Sequence, residues 1–244
     1  MDVTNRFVLD FAVRTGGVVL DYGCGAGALV AAGRAAGLDI SGADVFYGGS
    51  AARAEAAAAG LLGTTVREIV NGRIPFDDAV FDLVVNNQVM EHVADLDATL
   101  GEIHRVLKPG GLILSLFPAR DVWREGHIGI PLAHRLPRGR ARFYYTWALR
   151  ALGLGTWKEQ APTFRQWAAD KLGWIDAYTH YRPRAEIFRA YARYFTSELR
   201  EPDYIRYRLG PRRACWARWL TAPAAVALFR KLAFLVIVSR KAAR

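Results

Sequence analysis

Two aspartates and a run of glycines near the start of the chain have the types and spacing of a small-ligand site. Residues 18–30 read VVLDYGCGAGALV, so a strand-like run ends at Asp21, breaks at glycines and continues as a helix. These glycines are Gly23, Gly25 and Gly27. Backbone without side chains can approach a ligand closely, and the helix that follows offers free N–H groups. Asp44 ends the next strand-like run, where a carboxylate can accept both hydroxyls of a ribose, so the spacing predicts a nucleotide-like ligand.

The elements that would position these residues alternate between strand and helix. Strands are expected over residues 18–22, 38–44, 65–70, 80–86, 112–117, 194–199 and 232–239. Helical patterns alternate with the first five strands, except that residues 71–76 between the third and fourth strands read as a turn and loop. The alternation predicts right-handed βαβ units and a mostly parallel sheet. The predicted fold is therefore a doubly wound α/β domain with seven strands, of which the last is antiparallel.

Residues 118–183 interrupt this alternation after the fifth strand. The segment is rich in aromatic residues, proline and arginine, and helices are expected over 140–152 and 163–177. An insertion at this point lies at the carboxyl end of the sheet, where doubly wound folds bind ligands. We therefore expect residues 1–244 to form one domain, in which 118–183 are a helical lid that binds the substrate.

The net charge of +10 is concentrated in the second half of the chain. Residues 1–117 carry 8 Lys and Arg against 14 Asp and Glu, whereas residues 118–244 carry 25 against 9. A basic half suits an anionic substrate, a nucleic acid or a membrane surface, and charge alone does not choose among them.

Three features in this order resemble the class I S-adenosylmethionine-dependent methyltransferases over roughly residues 15–117. They are the motif DYGCGAG, Asp44, and the block FDLVVNNQVMEHV with its following helix and RVLKPGG. The resemblance implies a Rossmann-like fold with S-adenosylmethionine as the cofactor. It further implies that Asp21 and the glycine backbone surround the methionine part of the cofactor and that Asp44 binds its ribose.

The resemblance also implies contacts from three further residues. The loop that contains Asn71 falls where the family contacts the adenine, although many relatives place an Asp where this sequence has Val70 and Asn71. Asn87 and Gln88 belong to NNQVMEHV, which looks like the motif that closes the cofactor site.

Two other classes of protein stay open at this stage. Residues 23–28 satisfy a relaxed GxGxxA pattern, so the turn alone does not exclude an NAD(P)-dependent oxidoreductase. The EHV and LKPGG signals lie outside that family's usual pattern. A catalytically inactive methyltransferase-like binding protein is the other alternative, and the intact Asp21, Gly23, Gly25 and Asp44 argue against it.

Transfer of a methyl group to a hydroxyl needs a base, and histidine is the usual choice near neutral pH. His127 lies between two glycines shortly after the fifth strand and is the first candidate, and His134 is the second. Glu91 and His92 are interpreted as structural residues or as residues that support the site without contacting the ligand. No cluster of His, Cys and carboxylate residues has the spacing of a metal site, so no metal is expected.

The methyl acceptor is expected to be a small molecule or a glycan-type compound, including an anionic one, that is methylated on oxygen. Aromatic faces and arginines in 118–183 can stack sugars and pair with phosphates or carboxylates. Nucleic acid is not expected, because lysines are scarce and no recognised nucleic-acid module is appended.

Residues 211–231 read as an amphipathic helix that either packs on the sheet or lies on a membrane surface. Arg218, Pro223 and Arg230 interrupt the apolar run, so a membrane span is rejected. Two distant cysteines and an N-terminus without a signal-peptide pattern favour the cytoplasm, with peripheral contact at the inner face of the membrane as an option.

Overall fold

Seven strands form one sheet in the computed structural model, which describes residues 1–48 and 50–243. The strands are β1 (Val18–Tyr22), β2 (Asp39–Asp44), β3 (Val66–Glu68), β4 (Phe81–Asn87), β5 (Leu107–Phe117), β6 (Phe195–Leu199) and β7 (Leu235–Lys241). Their order is β3-β2-β1-β4-β5-β7-β6, and β7 runs antiparallel to both of its neighbours. The predicted fold class, a doubly wound and mostly parallel seven-stranded sheet, is confirmed.

Ten α-helices connect or cover these strands in the described part of the chain. They are α1 (Val3–Thr15), α2 (Ala28–Ala35), α3 (Ala52–Ala58), α4 (Leu96–Val106), α5 (Arg140–Ala151), α6 (Phe164–Tyr178), α7 (Arg184–Tyr191), α8 (Glu201–Leu209), α9 (Ala214–Leu220) and α10 (Pro223–Leu232). Apolar side chains are buried on both faces of the sheet. Leu20 packs in a cluster on one face and Val19 in a cluster on the other, as expected for central parallel strands.

The fifth strand begins five residues earlier than its predicted start at residue 112. Residues 107–111 lie outside the predicted strand, but Leu107 already pairs with Phe81 on β4. An irregularity in the register between Phe81 and Leu83 accommodates the extra residues. Such a bulge lets a glycine with positive φ, here Gly110 at 78°, sit inside a strand.

The C-terminal segment also differs from its prediction. The single helix expected over 211–231 is divided into α9 and α10, because Pro223 has no N–H to donate and starts a new helix at its first turn. Helix α8 was missed, although Pro202 in its first turn is a sequence signal for a helix start. The fully buried Glu201 accepts two hydrogen bonds from Arg230, each 2.9 Å, and thereby joins α8 to α10.

Residues 118–183, hereafter the insertion, have a small apolar core of their own. Trp167 is fully buried there, and its Nε1 donates to the carbonyl oxygens of Thr156 and Trp157 at 3.1 and 3.2 Å. Helix α6 ends at Tyr178, whose ring centroid lies 5.0 Å from that of Tyr47, just beyond β2. The insertion therefore reaches the carboxyl edge of the parallel strands.

Candidate functional site

Asp44 connects the end of β2 to the glycine turn. The backbone N–H of Gly25 donates to Asp44 Oδ2 at 2.8 Å, and that of Phe46 donates to Oδ1 at 2.8 Å. Gly23 N–H donates to the carbonyl of Ala43 at 2.7 Å, which holds the turn against the same strand. The carboxylate is thus oriented beside the turn, with lone pairs left to accept further hydrogen bonds.

The glycines of the turn are required for different reasons. Gly23 has φ +77°, and a Cβ there would lie 2.4 Å from Val89 Cγ2, so the turn packs directly on the loop that follows β4. Gly25 has φ +52°, and a Cβ there would meet no described atom within 4 Å. Open space beside Gly25 and close packing behind Gly23 form a cradle that a ligand can enter from one side.

Asp21 makes this edge of the sheet acidic. It lies near the end of β1 and is only 5% exposed, and burial together with the nearby Asp44 raises the pKa of its carboxyl to about 7. Two carboxylates that share one partly dry space favour a positively charged ligand, because a cation lowers the cost of ionising both.

The remaining predicted cofactor residues lie at the same edge but make different contacts. Asn87 ends β4, and its Nδ2 donates to Asn5 Oδ1 on α1 at 2.9 Å. Gln88 follows with φ +59°, and its backbone N–H donates to the Leu116 carbonyl at 2.7 Å. Asn71 is exposed in the turn after β3. Their roles toward a cofactor stay predictions.

A chain of hydrogen bonds joins the loop after β4 to the insertion. His127 Nδ1 lies 2.6 Å from Glu125 Oε1, and His127 Nε2 lies 3.1 Å from His92 Nε2. His92 Nδ1 lies 2.6 Å from the carbonyl oxygen of Tyr178. Tyr181 Oη donates to Glu125 Oε1 at 2.6 Å. Val89 accepts a backbone hydrogen bond from His92 at 2.8 Å and packs on Gly23, so the loop that carries His92 also contacts the glycine turn.

The hydrogen-bond partners determine where the protons lie. A carbonyl only accepts, so His92 Nδ1 carries a proton, and burial lowers the pKa of His92 and keeps the ring neutral. The bare His92 Nε2 then accepts from His127 Nε2. Burial opposes a charge on His127, but the hydrogen bond that His127 donates to the Glu125 carboxylate outweighs it and raises the pKa of His127.

Glu91 lies beside this pair without hydrogen-bond partners for its carboxylate among the described residues. Its side chain is 1% exposed, and burial raises its pKa to about 7. One oxygen of Glu91 and one ring nitrogen each of His92 and His127 lie within 4.8 Å of one another. Sequence spacing missed this group, because Glu91 and His127 come from loops after different strands and meet only in the fold.

His134, the second candidate base, is held apart from the His92–His127 pair. Its Nε2 lies 3.0 Å from the carbonyl oxygen of Arg120, and its ring stacks at 4.6 Å on Tyr181. Trp174 of α6 covers both rings of the pair, with centroid distances of 5.9 Å to His92 and 5.1 Å to His127. Aromatic side chains of the insertion thus pack around the His92–His127 pair, whereas Trp167 belongs to the apolar core of the insertion.

Residues 20–115 match the family described as "Methyltransferase domain". The chain is 34% identical to the demethylmenaquinone methyltransferase of Symbiobacterium thermophilum over 46% of each protein. It is 32% identical to the ubiquinone biosynthesis O-methyltransferase of Maricaulis maris over 52% of this chain and 51% of that protein. The chain thus spans about half the length of these curated relatives.

Solved structures extend the likeness in fold to the whole chain. An S-adenosylmethionine-dependent methyltransferase from Mesorhizobium loti superposes with a TM-score of 0.58 at 19% identity, covering 98% of both chains. A geranyl diphosphate methyltransferase, solved with its substrate and sinefungin, has a TM-score of 0.51 at 18% identity, covering 99% of this chain and 77% of that one.

Residues 20–115 thus match a methyltransferase domain, and the whole chain shares the fold of a solved S-adenosylmethionine-dependent methyltransferase, so the resemblance drawn from the motifs is confirmed. The site fits the cofactor of that class. The buried Asp21 and the Asp44 carboxylate suit a ligand that carries an ammonium, a sulfonium and a ribose, and the space beside Gly25 admits it.

Cofactor affinity should depend on pH through Asp21. Only its ionised form attracts the ammonium group of S-adenosylhomocysteine, and its pKa of about 7 makes that form scarce in acid. We expect binding to be roughly tenfold weaker at pH 6 than at pH 8, measured by calorimetry. The variant Asp21→Asn should bind weakly at both values, with no difference between them. A wild-type affinity that rises toward acid would contradict this assignment.

Proposed function

We propose that the protein transfers the methyl group of S-adenosylmethionine to a hydroxyl of a small molecule. The observation that carries the proposal is the Glu125–His127 pair, which contacts His92 on the same loop whose Val89 packs on the glycine turn. S-adenosylmethionine supplies a methyl group on a positively charged sulfur. A hydroxyl acceptor must in turn lose a proton, and an oriented histidine beside the cofactor edge suits that task.

Each residue of the site would have a role in methyl transfer that follows from its position. Asp21, Asp44 and the glycine turn hold the cofactor. Glu125 fixes the orientation of His127 through Nδ1, so that Nε2 is the atom that faces other groups. Once His127 is neutral with its proton on Nδ1, Nε2 can accept the proton of an acceptor hydroxyl. Trp174 over both rings keeps water from one side of this space.

The acceptor class follows from the insertion and from the relatives. Two relatives are named O-methyltransferases, one of ubiquinone biosynthesis and one of malonyl-[acyl-carrier protein], which favours an oxygen atom of a small group as the methyl acceptor. Trp174, Tyr178 and Tyr181 line the approach to His127 with aromatic faces. Arginines of the insertion, such as Arg138, leave glycan-type and anionic acceptors within the proposal.

The test is methyl transfer to a panel of acceptors. The protein would be incubated with S-adenosylmethionine labelled in the methyl group and with phenols, quinols, hydroxy acids and sugar phosphates. We expect label to enter a hydroxylated compound, with one S-adenosylhomocysteine formed per methyl transferred. Cofactor binding without transfer to any member, under conditions in which a known methyltransferase is active, would favour the inactive binding protein. Binding of NADH alone would favour the oxidoreductase.

We also propose that residues 211–232 contact an anionic membrane surface. Large apolar side chains are exposed along α9 and α10; they are Trp216, Trp219, Leu220, Leu228 and Leu232. Arg212, Arg213 and Arg218 lie in the same segment, and the guanidinium of Arg218 sits 4.9 Å from the Trp219 ring. Exposed tryptophans beside arginines are typical of segments that rest in the lipid headgroup region. No helix in the described residues is both long and apolar enough to cross a bilayer.

Co-sedimentation with vesicles measures this contact. We expect the protein to pellet with phosphatidylglycerol-containing vesicles at low salt and much less with pure phosphatidylcholine. Replacing Trp216 and Trp219 together by serine should lower partitioning at least about tenfold, since each ring contributes buried apolar area. Trp147→Ser is the matched control, because Trp147 is exposed on α5 instead. Equal partitioning of both variants would contradict the proposal.

The proposed location is the cytoplasm, with attachment to the inner face of the membrane through this segment. Cys24 and Cys215 are both free thiols. A reducing compartment preserves such thiols, which supports the proposal.

A further inference from the structure

We propose that Glu91, His92 and His127 bind a divalent cation of the zinc, cobalt or iron type, which keeps coordination positions open for an oxygen ligand. Three side chains from two loops converge on one point beside the cofactor edge. The proposal concerns binding of the metal to the protein itself, and it can be tested without any methyl acceptor.

The two histidines approach each other at the separation expected of ligands to one cation. Their Nε2 atoms are 3.1 Å apart. Two nitrogens each bound at about 2.1 Å to one ion lie roughly 3.0–3.4 Å apart for bond angles between 90° and 109°. The observed separation falls in this range, and both converging atoms are Nε2 nitrogens that would bind a metal once the proton between them is released.

The second ring nitrogen of each histidine, Nδ1, also lies beside a hydrogen-bond acceptor, as is typical of metal-binding histidines. His127 Nδ1 lies 2.6 Å from the Glu125 carboxylate, and His92 Nδ1 lies 2.6 Å from the Tyr178 carbonyl oxygen. Acceptors at Nδ1 keep the proton on that nitrogen and leave Nε2 free to bind a metal. Tyr181, which donates to Glu125, orients the carboxylate in turn.

Glu91 completes the set of ligands and supplies charge. A carboxylate buried to this extent is costly unless a hydrogen bond or a cation compensates it, yet both of its oxygens lack hydrogen-bond partners among the described residues. Bound metal would satisfy Glu91 and both Nε2 atoms at once. A proton shared between the two rings satisfies the rings alone and leaves Glu91 uncompensated.

The ligand types select the kind of metal. Imidazole nitrogens suit zinc, cobalt, iron and nickel, whereas magnesium and calcium prefer sites made of oxygen. Three protein ligands leave at least one coordination position vacant, as in catalytic zinc sites. The side chain of His127 is 24% exposed, so that position can be reached from outside.

An oxygen ligand fits the vacant position. If the proposed methyl transfer is correct, that ligand would be the acceptor hydroxyl, whose pKa the cation would lower. With metal bound, His127 Nε2 would be a ligand in place of a base, and the proton of the hydroxyl would leave to solvent. This role depends on the proposed function, whereas the metal site does not. The two can therefore fail separately.

Titration with Co²⁺ tests the site, because protein-bound Co²⁺ gives visible absorption bands. Protein freed of metal by a chelator should bind one equivalent, with heat in calorimetry and bands in the spectrum. Glu91→Gln and His92→Gln should each weaken binding by at least about tenfold. His134→Gln should bind as tightly as the wild type, since His134 is a neighbouring histidine outside the set of ligands. Acetohydroxamate, which chelates through two oxygens, should alter the bands.

The variants also keep the test interpretable. Glu91→Gln keeps the shape of the side chain and removes a buried charge, so it should fold, which a cooperative thermal transition would show. Lack of stoichiometric Co²⁺ binding by the wild type would overturn the metal site. Equal affinity of wild type and Glu91→Gln would do the same. Unchanged bands with acetohydroxamate would overturn the open position.

Discussion

Replacing Asp44 by alanine should weaken the binding of S-adenosylhomocysteine by about ten- to a hundredfold. Hydrogen bonds to a charged group contribute roughly 1.5–3 kcal/mol, and the carboxylate is expected to accept from the ribose hydroxyls. The same substitution leaves the N–H groups of Gly25 and Phe46 without the oxygens to which they donate, at 2.8 Å each. The glycine turn would then lose its link to the end of β2. Calorimetry on wild type and variant measures the change.

Glu68→Ala is the matched control for this experiment. Glu68 is the residue paired with Asp44 on the adjacent strand β3, and its carboxylate forms a surface ion pair with Arg53 at 3.1 Å. Such pairs contribute little to stability, so this variant should fold and bind normally. An Asp44→Ala protein that retains full affinity would show that the ribose binds elsewhere.

Replacing His127 by alanine should lower the rate of methyl transfer about a hundredfold and leave cofactor affinity within a factor of two. Proton transfer by a positioned histidine typically increases a reaction rate by roughly two to four powers of ten. The residues proposed to hold the cofactor are Asp21, Asp44 and the glycine turn, and the hydrogen bonds of the His127 ring go instead to Glu125, His92 and Tyr181. The measurement is kcat with the best acceptor from the panel, together with Kd for S-adenosylhomocysteine.

His134→Ala separates the two histidines named from the sequence. His134 is engaged with the Arg120 carbonyl and stacked on Tyr181, so its loss should change the rate by only a few-fold. The methyl-transfer rate of Glu125→Gln should lie between those of His127→Ala and His134→Ala. The amide can still contact His127, but it lacks the negative charge that favours the protonated form of His127. A His127→Ala enzyme with full activity would exclude His127 as base and as ligand of a required metal.

Local patterns in the sequence were sufficient to predict the glycine turn and the two aspartates at the carboxyl edge of the parallel strands. Asp21, the glycines and Asp44 lie within 24 residues of chain, and strand–turn–helix geometry brings such neighbours together in any doubly wound fold. The order of strands and helices follows in the same way from hydrophobic periodicity and chain connectivity. Boundaries were less well predicted, as the early start of β5 shows, because Leu107 already pairs with β4 ahead of the bulge that contains Gly110.

Only the tertiary structure decided what lies beside that edge. Glu91 and His92 follow β4, Glu125 and His127 follow β5, and Tyr178 ends α6, so no local pattern connects them. His92 was interpreted as structural, but it lies 3.1 Å from His127 in a cluster with a buried carboxylate. Sequence alone determined the fold and the glycine turn, because both follow from local conformational preferences. The fold determined the histidine cluster, because its contacts depend on where two distant loops and one inserted helix meet.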